Sequence, residues 1–409
     1  MTAIRRPLGL SPLATVLWLL PHPVAQEAFW SPAPDANAPA MAHHDMTYDS
    51  TRGAVIVAGR PPGMTGAEVS VYQGNAAGEW SPLPSPQPIP GQYDVEIAYN
   101  PDEDYTLLYT DAGNQVWKLR GETWTMEETS HTPVQCPDGA FLKYDPVRRN
   151  FVLVGSDGWP ESTSPSQTWT YDGTDWTLVA DEDASPEGAA GGGMAFDAAR
   201  GEMVLTTNNT GETWTFDGTQ WTRKHPATNP DPGVWVINMA YDPDSQLVVY
   251  FGGAHVLPDW SEELQDKTWA WDGATWHSLP GTPPLPHNID YGLAYFPERS
   301  AIVMHGGWPR MVDGKEDWSL SNDVYLLTID GGGPTEIRIV HIARPVDGTV
   351  QLTSEGRGTN ATRQVLQGTA SLGPDANWAE VSANDEPGNV NQWEASLEGG
   401  AQFFRILEE

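Results

Sequence analysis

The chain reads as short apolar runs that alternate with polar positions at a period of two and are broken by Gly, Pro and Asp turns, the pattern of half-buried β-strands. No long stretch carries an apolar stripe at helical spacing. One motif recurs six times: an apolar residue, a spacer, an aromatic residue, and in most copies Asp or Asn before a turn. The copies are Met46-Thr47-Tyr48-Asp49, Ile97-Ala98-Tyr99-Asn100, Leu142-Lys143-Tyr144-Asp145, Met194-Ala195-Phe196-Asp197, Met239-Ala240-Tyr241-Asp242 and Leu293-Ala294-Tyr295-Phe296. Their aromatic residues stand 51, 45, 52, 45 and 54 residues apart, which indicates a repeat architecture.

Each copy continues through a turn, carrying Arg52, Arg148, Arg200 or Arg299 in four of them, into an apolar strand such as Phe151-Val152-Leu153-Val154 or Leu247-Val248-Val249-Tyr250. After a variable loop comes a Trp strand, a tight turn and a second Trp. The clearest versions are Trp169-Thr170-Tyr171-Asp172-Gly173-Thr174-Asp175-Trp176, Trp214-Thr215-Phe216-Asp217-Gly218-Thr219-Gln220-Trp221 and Trp269-Ala270-Trp271-Asp272-Gly273-Ala274-Thr275-Trp276. Asp-Gly between alternating strands is a hairpin signal, because Gly accepts the positive φ that the turn requires. Four strands in each of six units predict a six-bladed β-propeller rather than a sandwich. The second Trp recurs at Trp80, Trp124, Trp176, Trp221 and Trp276, but the last copy ends at Asp323-Val324-Tyr325-Leu326-Leu327 without one. Phe29-Trp30-Ser31-Pro32 supplies it, so an N-terminal strand is expected to complete the sixth blade and remove the exposed edges.

These runs resemble the Kelch repeat family, in particular bacterial proteins with Thr-Trp-x-x-Asp-Gly-x-x-Trp, an apolar-x-Tyr-Asp strand and a Gly-Gly pair. The resemblance spans about residues 29–330. Paired glycines stand at Gly252-Gly253 and Gly306-Gly307, Ala58-Gly59 and Val154-Gly155 match by half, and Tyr109-Thr110 and Thr206-Thr207 depart. The resemblance implies a galactose-oxidase-like propeller without that enzyme's copper-site motif: its Tyr–Cys crosslink has no counterpart around Cys136, the one cysteine here. With a single thiol the chain forms no internal disulfide.

After Gly331-Gly332-Gly333-Pro334 the period stops, which marks residues 331–335 as a linker. The runs Ile337-Arg338-Ile339-Val340, Thr349-Val350-Gln351-Leu352-Thr353, Gln364-Val365-Leu366-Gln367, Trp378-Ala379-Glu380-Val381 and Phe403-Phe404-Arg405-Ile406-Leu407 then predict a small β-sandwich-like domain over 336–409. It resembles the short accessory β-domains that end many exported bacterial proteins. Residues 1–26 read as a signal peptide, with Arg5 and Arg6 ahead of an apolar run over 8–20, and the propeller as 27–330. The expected location is therefore secreted, periplasmic or on the cell surface, with no transmembrane segment.

Composition supports this picture: 41 Gly and 36 Pro serve turns, and 19 Trp and 13 Tyr suit pleated surfaces. Lys and Arg number 21 against 55 Asp and Glu, a formal charge of -34, which argues against nucleic acid as a partner. A monomer that binds carbohydrate or protein fits better.

In an up-and-down blade the first and third turns share one face of the disc. They are tight here, so the long segments 157–167, 255–266 and 308–322 fall on the other face, where binding residues are usually carried. Trp159, Trp260, Trp308 and Trp318 in those segments are candidates to stack on sugar rings. His43, His44, His255, His287 and His305 fall on blades 1, 5 and 6 and are candidate ligands for a transition metal. Asp45, Asp94, Glu96, Asp138 and Asp290 near the channel mouth would suit Ca²⁺. No nucleophile elbow, phosphate loop or paired zinc motif is present. The expectation is an exported, non-catalytic binding module that recognises a glycan or protein through the long-loop face. The rival is a metal-dependent oxidase or carbohydrate-active enzyme built on the histidines of blades 5, 6 and 1.

Overall fold

The computed structural model describes residues 27–329 apart from 34, 61–67, 86, 92–94, 111, 134–139, 157–164, 190, 209, 236–237, 257–261, 282–288, 308–309, 313–314 and 318–319, together with the backbone of six strands between 338 and 408. Six four-stranded antiparallel sheets form the ring. Blade 1 comprises Ala42–Asp49, Ala54–Arg60, Ser70–Asn75 and Trp80–Pro82, and blade 2 comprises Val95–Asn100, Tyr105–Thr110, Gln115–Arg120 and Thr123–Glu127. Blade 3 is built from Phe141–Asp145, Asn150–Ser156, Ser166–Tyr171 and Trp176–Ala180, and blade 4 from Gly193–Asp197, Glu202–Thr206, Thr213–Phe216 and Trp221–Arg223. Blade 5 contains Met239–Asp242, Leu247–Phe251, Thr268–Trp271 and Trp276–Leu279. Blade 6 contains Gly292–Phe296, Ala301–His305 and Val324–Ile329, and its fourth strand is Ala28–Pro32 from the start of the chain. That strand pairs Ala28 with Ile329, Trp30 with Leu327 and Pro32 with Tyr325, closing the ring as the missing tryptophan required.

The recurring Asp after the aromatic residue has a local cause. Asp49, Asp145 and Asp197 each accept two backbone N–H bonds from the turn that follows, Asn100 does the same in blade 2, and the turn is fixed before any packing is counted. The arginine of the same turn pairs with that Asp, at 2.9 Å for Arg148 and 2.8 Å for Arg200, and then reaches the next blade. Arg52 bonds Gly121 O and Glu122 of blade 2, Arg148 bonds Gly201 O of blade 4, Arg200 bonds Gln246 O of blade 5 and Arg299 bonds Asn75 O of blade 1. One face of the disc is thus laced together blade to blade.

The outer tryptophans lock the blades from the other side of the sheet. Trp221 Nε1 donates to Thr168 Oγ1 and Trp276 Nε1 to Thr213 Oγ1, both at 2.8 Å, so each reaches the third strand of the preceding blade. Thr168 and Thr213 are the threonines of the Thr-Trp pairs seen in the sequence. Buried apolar clusters fill the seams between adjacent blades, for example Leu107, Tyr109 and Val116 of blade 2 with Phe151, Tyr171 and Trp176 of blade 3.

Beyond the ring, Arg338–Ala343, Thr349–Glu355 and Val390–Ser396 form one three-stranded sheet, and Gln364–Thr369 lies between Ala379–Asn384 and Phe403–Glu408 in another. The sequence marks five of these strands; Val390–Ser396 is an addition. The signal segment 1–26 and the linker 331–335 lie outside the described residues. No helix among the described residues is long and apolar enough to cross a membrane.

Candidate functional site

Two additions lie on the face opposite the arginine lacing. Val234–Trp235, from the connector into blade 5, pairs with Ala254–Val256, which pairs in turn with Glu262–Leu264. Blade 6 carries a hairpin, Arg310–Val312 against Lys315–Asp317, whose intervening Asp313-Gly314 is a two-residue hairpin sequence.

Beneath them is the central channel, lined by the innermost strands. Each such strand has a free edge, and its N–H groups need acceptors. Neighbouring blades supply them: Asp45 Oδ2 accepts from Ile97 N at 3.3 Å, Thr47 Oγ1 from Tyr99 N at 3.2 Å, Glu96 Oε2 from Leu142 N at 3.2 Å and His44 Nε2 from Gly292 N at 2.9 Å. The buried Asp45 also meets Lys143 Nζ at 3.1 and 2.9 Å, an ion pair that joins blade 3 to blade 1 past blade 2. Asp45 and Glu96 of the acidic column are therefore engaged with protein groups. Asp94 and Asp138 lie outside the described residues.

Asp290 meets a histidine. His43 Nδ1 stands 3.3 Å from Asp290 Oδ2, and both residues hold left-handed backbone, φ 50° and 57°. The strand pairing shifts between Ala42 and Asp45, which takes His43 out of the ladder. Two non-glycine residues with positive φ, paired across the junction of blades 6 and 1, are a local cost that the surrounding fold sustains.

Behind them, His44 and His305 are both fully buried, their rings 5.2 Å apart and nearly perpendicular. His305 Nε2 lies 2.9 Å from Pro39 O, and its Nδ1 lies 3.2 Å from His44 Nε2. The other face of the His305 ring stacks on Trp80 at 4.7 Å, and Trp80 Nε1 donates to Asp35 at 2.8 Å. Asp35 in turn receives both ends of the Arg299 guanidinium, at 3.0 and 3.2 Å. Burial is the main force holding the His44 imidazole well below its ordinary range, with His305 and His43 adding to it; burial pushes His305 down to about 4. Gly306 must be glycine here: at φ 68°, an added Cβ would stand 2.9 Å from both His44 Cε1 and Met41 O.

The scaffold that carries these groups is a six-bladed β-propeller. No family model and no curated protein matches the sequence. Among solved structures the chain is similar to YjhT, with 13% identity and a TM-score of 0.51 over 73% of this chain and 99% of that one. It is also similar to a protein of unknown function from Dyadobacter fermentans (10% identity, TM-score 0.48, 75% of this chain and 98% of that one). A third similar structure is a protein proposed to be a gluconolactonase (12% identity, TM-score 0.44, 75% and 93%). Likeness at these identities speaks for the fold alone.

Of the predicted site residues, the propeller brings His43, His44 and His305 to one seam. His255 sits in the added sheet of blade 5, paired with Val234, its ring against Gly233. His287, Trp159, Trp260, Trp308 and Trp318 lie outside the described residues. Among the described residues no three His, Cys, Asp or Glu side chains are grouped to hold a metal ion. Lys143 and Arg299 stand in the repeat without a site role foreseen for them, and Asp35 stands outside it. Lys143 was findable: its place in the motif is Ala in blades 2, 4, 5 and 6, so a long cation there is an anomaly. Asp35 belongs to no repeat and gives no signal.

Proposed function

We propose that this propeller is an exported, non-catalytic binding module of the Kelch type, acting as a monomer, which recognises a glycan or a protein partner through its long-loop face. One observation carries the reading: blades 5 and 6 spend chain on hydrogen-bonded structure that the ring does not need. Blade 2 passes from Tyr105–Thr110 to Gln115–Arg120 through a tight turn, whereas blade 5 inserts two extra strands before Thr268–Trp271 and blade 6 a whole hairpin before Val324–Ile329. Rigid additions on one face above a fixed scaffold are how repeat propellers present recognition surfaces. The paired glycines at the foot of both additions, with φ of 69° and 89° at Gly252 and Gly253 and 68° and 97° at Gly306 and Gly307, support the Kelch label. The charge of -34 speaks against a nucleic-acid partner. The C-terminal sheets would make a small sandwich-like accessory domain.

The test uses chain 27–409 on a glycan array and in cross-linking against exported proteins, beside a variant whose residues 308–319 are replaced by a short turn. The expected result is one ligand class bound by the parent and weakened by about tenfold or more in the variant, in Trp260→Ala or in Trp308→Ala, the loss typical of an aromatic anchor. Binding indifferent to all three changes overturns the reading.

A further inference from the structure

Each blade ends in an outermost strand with an open ladder edge, and proteins blunt such edges by shortness, proline, charge, a bulge or a covering segment. Five of the six edges carry such a device. Blade 1 ends in the short Trp80–Pro82, which stops at proline and is covered where Trp80 N donates to Ala36 O at 3.3 Å. Blade 4 has only Trp221–Arg223, with Lys224 following. In blade 5 Trp276 N donates to Thr228 O at 3.2 Å, and Pro280 stops the strand. In blade 6 Ala28 N donates to Pro280 O at 2.8 Å, and Pro32 ends the strand. Blade 3 has a register shift between Thr168 and Trp169, and Asp175 Oδ1 accepts the Trp176 N–H at 3.0 Å.

Blade 2 has none of these. Thr123–Glu127 is five residues long, contains no proline, lysine or arginine, and keeps an unbroken register from Arg120 opposite Thr123 to Val116 opposite Glu127. Gly121 and Glu122 form a two-residue hairpin loop, so Arg120 and Thr123 are a hydrogen-bonded pair and the pairs then alternate. Thr125 and Glu127 therefore bond inward, and the N–H and C=O groups of Trp124 and Met126 point outward. Among the described residues no other backbone segment bonds to them. The Met126 side chain beside them is 50% exposed.

We infer that this edge is a second interaction surface, separate from the long-loop face, that takes an extended basic polypeptide segment as a fifth strand of blade 2. Backbone bonds to Trp124 and Met126 supply the attachment, and the alternation of side chains supplies the selectivity. On one side of the sheet the incoming strand lies beside Met126, which calls for apolar residues. On the other it lies beside Thr125 and Glu127, with Glu122 and the exposed Glu128 at the two ends. Arg52 and Lys118 hold Glu122 and Glu127 in place, and the Glu122 side chain is still 76% exposed. Lysine or arginine at alternate positions of the partner answers these carboxylates. The formal charge of -34 on each chain works against a second copy as the occupant, because two such surfaces repel.

Fluorescence anisotropy of a short labelled peptide of alternating lysine and valine, titrated with the full chain at about 0.15 M salt to screen longer-range attraction, tests this. The peptide is expected to bind about tenfold more tightly than glutamate-valine and all-lysine peptides of the same length, which lack the charge and the apolar face respectively. Met126→Pro removes an outward N–H that no ladder bond uses, and is expected to weaken binding by about tenfold or more. Met126→Lys, which keeps the backbone and opposes the charge of the peptide, does the same if the proline variant fails to fold. Leu178→Lys, at the matching place on blade 3, is expected to leave binding unchanged. Equal binding of the all-lysine peptide, or a loss in Leu178→Lys as large as in the Met126 variants, reduces the effect to attraction by an acidic surface and overturns the docking strand. Binding indifferent to both Met126 variants overturns it too, as does light scattering that shows the chain pairing with itself through Met126.

Discussion

Trp30 Nε1 donates to Thr268 Oγ1 at 3.1 Å, repeating at the ring's closing point the bond that Trp276 makes to Thr213 and Trp221 to Thr168. The first strand of the chain thus obeys the rule of the internal blades, although some 240 residues separate it from its partner. Thr268→Val keeps the shape and removes the acceptor, leaving a half-buried indole N–H without its partner. The expected cost is about 1–3 kcal/mol. Urea unfolding should show a lower midpoint with an unchanged slope, and a slope change would mean that the ring no longer unfolds as one unit.

The same rule exposes two defects. Trp124 and Trp176 have buried Nε1 groups without partners. The residues matching the threonines in the preceding blades are Val71 and Val116, which share apolar clusters with those tryptophans. Val71→Thr and Val116→Thr are each expected to stabilise by about 1 kcal/mol by supplying the missing acceptor. Val324→Thr is the control: Trp80 already donates to Asp35, so this change gains nothing and buries a hydroxyl. A gain in thermal midpoint for the first two and none for the third is the outcome to look for.

How much of this was legible depends on whether a contact repeats. The six blades, the Asp-capped turns and the closing role of Trp30 were readable because each recurs, and a motif seen several times specifies one geometry. The Thr-Trp pair was visible too, but the meaning of its threonine was not, since that residue bonds a tryptophan of the next blade. The Asp35, Trp80 and His305 chain occurs once, between segments far apart in sequence, and no period points to it. His43, His44 and His305 could be grouped from blade order alone; that two of them meet edge to face inside a seam, one stacked on Trp80, follows from packing.

Lys143 is the clearest single departure from the repeat, and its pairing with Asp45 is testable by a double-mutant cycle. Lys143→Ala leaves a carboxylate that is almost wholly buried with only backbone donors, and is expected to cost about 3 kcal/mol or more. Asp45→Asn retains an acceptor for Ile97 N–H and removes the charge. The double variant should recover most of the loss, with a coupling energy of about 1–3 kcal/mol in equilibrium unfolding. Additive losses would show that the two side chains do not stabilise one another.

The turns that precede the outer tryptophans carry a second constraint that separates two of their glycines. Gly273 has φ 93°, and a Cβ there would run into the Arg200 side chain, coming within 2.5 Å of its Cδ. Gly121 has φ 52°, with nothing within 4 Å of the added atom. Gly121→Ala therefore incurs only the left-handed strain of an L-residue, about 1–2 kcal/mol. Gly273→Ala adds displacement of an arginine whose partner Asp197 is fully buried and bonded to it at 2.8 Å, and should cost about 2–5 kcal/mol in total. The difference between the two midpoints measures the collision. Equal losses would mean that Arg200 swings clear at no cost, and that the arginine lacing contributes nothing to holding blade 4 against blade 5.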